Sequence, residues 1–206
     1  MIVRELPSGE LMVNTYLVYD EVNKKGFIVD PGGYDRKTMD IIAENGLDIE
    51  YIILTHGHAD HIMGVPRYKE ELAPIKVLAA EAELPMLADD NYNMSRMFGS
   101  PTTIVPDETV NEGDTLKIGD MEMKFIMTPG HSPGGMCIIM DGVVFSGDTL
   151  FAQSIGRTDF PGGSYSTLIR MIKEKLLILP DDTKVYPGHM GPTTIGFEKK
   201  FNPFVS

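Results

Sequence analysis

Short apolar runs recur along the chain, several rich in β-branched residues and many closed by Gly or Pro: residues 12–19, 27–29, 51–54, 76–79, 122–127, 136–140, 143–145 and 184–186. Such runs predict strands. Between some of them, apolar positions at helical spacing predict helices over residues 36–44, 66–72, 81–87 and 165–179; in the last, Leu168, Met171, Ile172 and Lys175 share one side. Asp141-Gly142 between "MCIIM" and "VVFSG" predicts a hairpin turn. Residues 91–109, with Gly99, Pro101 and Pro106, read as a long surface connection. The pattern is neither strict strand-helix alternation nor all-β. It predicts a mixed α/β (α+β) fold in which two sheets are covered by helices.

Composition narrows the class. The 206 residues suit one domain spanning 1–206, and 42% hydrophobic with 23% charged residues is a globular balance. A formal net charge of -12 opposes nucleic acid and anionic membrane surfaces as partners. No apolar run approaches the ~20 residues that span a bilayer, and "MIVRELPSGE" lacks the basic flank and apolar stretch of a signal peptide, so a cytoplasmic location is expected. The single cysteine, Cys137, has no internal disulfide partner and lies in an apolar run, which reads as core packing.

The histidines change the picture. "ILTHGHADHIMG" follows an apolar run and holds His56, His58, Asp60 and His61 within six positions. Side chains two apart on an extended segment share a side, so His56 and His58 can grip one ion. Asp60 and His61 join them only if the chain turns after Ala59. The other two histidines sit in a similar setting: His131 follows "MEMKFIM" through "TPG", and His189 follows "TKVY" through "PG". Asp148 follows "VVFSG". Four strand-like runs thus end in metal-ligand residue types, the pattern of a site built where strands finish at one edge.

The ordered set "IVDPGG", "THGHADH", "TPGHSPG", "FSGDTLF" and "YPGH" resembles the metallo-β-lactamase fold hydrolases over essentially the whole chain. "GRTDFPGGS" and "TTIGFEKKFNPF" resemble the short, single-domain glyoxalase II-like (hydroxyacylglutathione hydrolase-like) members. The resemblance implies a four-layered αββα sandwich and a two-metal centre. It assigns His56, His58 and His131 to one ion and Asp60, His61 and His189 to the other, with Asp148 bridging. Asp30 is implied to orient the site, with an ordinary Asp-Pro-Gly turn as the alternative. Arg157 is implied to lie near a thiol substrate; an ion pair with Asp159 is its alternative. Only 17 residues follow His189, too few for the C-terminal helical region that helps two-domain relatives hold glutathione.

Two divalent ions can lower the pKa of a shared water toward ~7 and polarise a carbonyl. Zinc is the first expectation, with iron or manganese possible, because nitrogen and oxygen donors do not choose among them. Every histidine is committed to metal, so no imidazole remains to protonate a leaving group, and a thiolate can leave without one. The expected activity is hydrolysis of a small-molecule thioester such as S-2-hydroxyacylglutathione, through Asp60 and Asp148 at the metal-activated water, by a monomer or homodimer. The alternatives are a mononuclear iron persulfide dioxygenase and a catalytically silent metal-binding protein.

Overall fold

The computed structural model describes residues 1–205. Strands β1 (Ile2–Ser8), β2 (Val13–Tyr19), β3 (Lys25–Val29), β4 (Asp48–Leu54), β5 (Lys76–Ala80) and β6 (Glu108–Val110) form one six-stranded sheet in that order. The first three run antiparallel and the pairs from β3 to β6 parallel. The second sheet is built from β7 (Thr115–Ile118), β8 (Met121–Met127), β9 (Met136–Met140) and β10 (Val143–Gly147). After the small hairpin of β11 (Leu150–Phe151) and β12 (Ser154–Ile155), it is completed by β13 (Lys184–Pro187) and β14 (Thr193–Thr194), in the order β14-β13-β10-β9-β8-β7.

Period-two side-chain alternation explains the layering. In β4, Tyr51 and Ile53 enter the cluster between the sheets, where they meet Phe125, Ile138 and Phe145 of the second sheet. Ile52 and Leu54 face the other way, toward α1 (Arg36–Asn45), α2 (Ala59–Ile62), α3 (Val65–Glu71) and α4 (Leu84–Leu87), which contribute Ile42, Ile62, Tyr68 and Leu87. On the far side, Cys137, Val144 and Val185 pack beneath α5 (Tyr165–Met171) and α6 (Ile195–Phe201) through Leu168 and Ile195. Three apolar seams therefore join four layers, helix, sheet, sheet and helix. This is the αββα sandwich expected from the sequence.

The boundaries differ in places. The helix predicted over 165–179 is α at Tyr165–Met171 and then one wider π turn at Ile172–Leu176, which still buries Ile172 and Leu176. Residues 81–87 divide into a tight 3₁₀ turn, Glu81–Glu83, and α4. The predicted connection over 91–109 carries a 3₁₀ turn at Ser95–Phe98 and ends inside β6. Cys137 is fully buried and burial pushes its thiol up to about 11, so it stays protonated and unreactive near neutral pH. No helix among the described residues is long and apolar enough to cross a membrane.

Candidate metal centre

Five strands finish at one edge: β3 delivers Asp30, β4 the "THGHADH" segment, β8 the turn carrying His131, β10 Asp148 and β13 His189. The turn after Ala59 on which the sequence reading depended is α2, which swings Asp60 and His61 round toward the edge. Gly188 permits the close approach of β13, because a Cβ there would lie 2.3 Å from Asp148 Oδ1 and 2.7 Å from the His61 ring.

Three sets of donors have ligand atoms within 4.8 Å of one another: His56–His58–His131, Asp60–His61–His189, and Asp30–His56–His61, which shares a ring with each of the other two. Asp148 lies between the first two triads. Its Oδ2 is 3.5 Å from His131 Nε2 and 3.7 Å from His189 Nε2, and its Oδ1 is 3.3 Å from His61 Nε2. His189 Nε2 also lies 3.1 Å from Asp60 Oδ2.

The surrounding hydrogen bonds fix which nitrogen of three rings, those of His56, His61 and His131, faces inward. Arg157 O can only accept, so His131 donates from Nδ1 at 2.7 Å and turns Nε2 toward the cluster. Asp30 is buried and its carboxylate takes Thr55 N–H at 2.7 Å, the Thr55 hydroxyl at 2.6 Å and His61 Nδ1–H at 2.9 Å. With its proton given to Asp30, Thr55 Oγ1 accepts from His56 Nδ1 at 3.2 Å. Asp30 therefore sets the orientation of a ring in each triad, and its own oxygens are occupied. The Asp-Pro-Gly turn and the orienting role coexist in this residue, whose φ is 47°.

These residues fit a pair of cations. The buried His61 Nε2 and Asp148 Oδ1 face each other without a hydrogen-bond partner, which is costly unless something sits between them. Burial, reinforced by the charges of neighbouring histidines, drives His56 and His58 toward their neutral forms, His58 to about 3. Burial is the largest single influence and opposes ionisation of Asp60 and Asp148, but His61 and His189, joined at Asp148 by His131, together outweigh it and hold both below the usual carboxylate range. Neutral His56 and His58 with ionised Asp60 and Asp148, and no thiolate among the donors, suit first-row divalent metals.

His61 behaves differently, with a consequence for pH. Burial disfavours its charged form, yet Asp148, Asp60 and Asp30 together raise its pKa well above the ordinary value. A cation entering the second triad must displace that proton, so acid competes with metal. Apparent affinity at this triad is expected to rise with pH, by about tenfold per unit while His61 is protonated in the metal-free form. Titration with zinc between pH 6 and 8 reads the slope; affinity independent of pH would show that His61 carries no displaceable proton.

Two features escaped the sequence reading. Glu83 is buried, accepts Gly57 N–H at 2.9 Å and Gly134 N–H at 2.5 Å, and so ties the His56–His58 segment to the turn after His131. An acidic residue opening a helix is ordinary, and nothing local marks it as buried. The 91–109 segment supplies Met94, Met97 and Phe98 to the wall of a cavity of about 470 Å³ over the two donor triads. Arg157 also lines that cavity, but its guanidinium is paired with Asp159, at 3.0 and 2.9 Å, and lies 4.1 Å over the Phe160 ring.

The layered fold, the two triads at one sheet edge and a match over residues 8–189 agree: the chain belongs to the metallo-beta-lactamase superfamily. It is 36% identical to the hydroxyacylglutathione hydrolase GloC of Haemophilus influenzae over 211 residues, covering 100% of this chain and 99% of the relative. Its fold is similar to that of the BLEG-1 B3 metallo-beta-lactamase, with a TM-score of 0.92, 38% identity and 100% of both chains covered. It is also similar to TTHA1623, a structure in a di-iron-bound form, with a TM-score of 0.87, 33% identity and coverage of 98% of this chain and 100% of the other.

Proposed function

We propose that the protein is a metal-dependent hydrolase of thioesters, with S-2-hydroxyacylglutathione as the reference substrate. His56, His58 and His131 would hold one divalent ion and Asp60, His61 and His189 the second, with Asp148 serving both; zinc is the first choice, and iron and manganese suit the same donors. When bound, such ions supply an acidified water at neutral pH and polarise the acyl carbonyl. The chain's own residues keep the donors fixed: Asp30 and the Arg157 carbonyl hold the rings, and Glu83 holds the two loops together.

The cavity lining carries this reading. Its titratable side chains are His58, Asp60, His131, Asp148, His189 and Arg157. The first five belong to the metal cluster, and nearby Asp159 raises the pKa of Arg157. Among the described residues, no uncommitted acid lines the space where a leaving group would depart. An amine or alkoxide needs a proton there, whereas a thiolate, with a conjugate acid near ~8.5, does not. Water adds to the acyl carbon, the C–S bond breaks with its electron pair on sulfur, and a carboxylic acid and a thiol result. The likeness to GloC supports the same scissile bond, while the likeness to BLEG-1 makes a β-lactam the control.

A single metal-quantified sample should be assayed with lactoylglutathione, a β-lactam and glutathione persulfide, the last with an oxygen electrode. Thioester hydrolysis is expected to dominate. Oxygen consumption on the persulfide without thioester cleavage would establish the dioxygenase instead, and faster β-lactam opening would overturn the leaving-group argument.

A further inference from the structure

Beyond the metal cluster, the cavity wall consists of Leu11, Met94, Met97, Phe98, Phe151, Phe160 and Arg157. The aromatic rings flank the two triads: Phe160 stands 5.2 Å from the His58 ring and Phe151 6.0 Å from that of His189. Leu11 and Met97 line this space and remain 51% and 82% exposed, so their apolar surface is open to a ligand. Among the described residues, the one charge on this wall outside the donor triads, Arg157, already has Asp159 beside it, so the pair presents no net charge to a ligand. The whole chain carries a formal charge of -12.

From this wall we infer that the thiol half of the substrate is uncharged and apolar, so that glutathione and other carboxylate-bearing thiols are poor leaving partners. The inference rests on the thioester reading and names its substrate class. Glutathione bears two carboxylates and an ammonium remote from its sulfur, and the wall offers them Arg157 alone, in competition with Asp159. An arylalkyl or alkyl thiol instead meets methionine and aromatic surface, where each buried methylene adds to discrimination. Methionines suit such a surface because their unbranched side chains adapt to varied apolar shapes.

The test holds the acyl group constant as lactoyl and varies the thiol, comparing glutathione with benzyl mercaptan. Each kcat/KM is divided by the rate of the same ester with free hydroxide. The benzyl thioester is expected to be favoured by ~10-fold or more, and exposed Met97→Lys should narrow or reverse the preference. In parallel, calorimetry on the metal-loaded protein should show benzyl mercaptan binding more tightly than glutathione. A glutathione thioester hydrolysed as well or better overturns this inference and leaves the thioester reading standing. Selective binding of benzyl mercaptan with neither ester cleaved overturns the reaction and keeps the wall's selectivity; neither cleavage nor selective binding overturns both.

Discussion

Replacing Asp148 by alanine is expected to lower turnover by at least ~100-fold and to reduce metal content at the same time, since even residues that only orient ligands contribute 10–100-fold. Asp148 is placed to act on both triads, with one oxygen toward His61 and the other toward His131 and His189. Without it, three inward nitrogens lose their shared anion, and a pair of cations loses part of the charge that balances their mutual repulsion. Activity and metal content are to be measured on the same preparation. A dead variant with full metal content would move Asp148 from ligand to another role, and an active one would remove it from the centre altogether.

The second large effect is expected at Asp30, which need not touch an ion. Asp30→Ala leaves Thr55 N–H buried and unpaired, at a cost of about 1–3 kcal/mol, and releases the His61 ring. Affinity at the Asp60–His61–His189 triad should fall by ~10–100-fold, and the His56 triad should weaken too, because Thr55 loses the acceptor that fixes its hydroxyl. Asp30→Asn should not rescue it: an amide nitrogen facing His61 Nδ1 and the Thr55 hydroxyl sets donor against donor. Competition titration with a chromogenic chelator reads both sites, and thermal unfolding reads the stability loss. A destabilised variant with unchanged affinities would show that Asp30 serves the fold alone.

Much of this architecture was legible because strand periodicity and ligand chemistry are local. The strand at Tyr51 to Leu54 and the residues that follow it could be read together, and the repeated placement of ligand types after apolar runs pointed to one edge. What escaped was set by tertiary contact. β1 pairs at the edge of its sheet with three of its seven residues exposed and only two buried, so it lacks a clean apolar stripe. β7 is four residues long and buries only Ile118 fully. The C-terminal α6 is capped by Thr194, whose side chain accepts from Phe197 N–H, but without an acidic residue three positions on the cap signal is weak. Glu83 and the methionines at 94 and 97 acquire meaning only when distant loops meet them.

The same distinction separates the roles of Arg157. Its position in "GRTDF" suggested a substrate contact, and its side chain does reach the cavity. Its backbone carbonyl, which no residue-type pattern can flag, orients His131. Substituting the side chain therefore leaves that hydrogen bond available.

The most direct measurement is elemental analysis of the wild-type protein, purified without chelator, supplemented with zinc, iron or manganese, and freed of loose ions by gel filtration. Roughly two tightly held transition-metal ions per chain are expected after supplementation, one for each triad. Protein that is folded by circular dichroism and still retains none would contradict the metal centre, and with it the hydrolytic chemistry assigned to this edge of the sandwich.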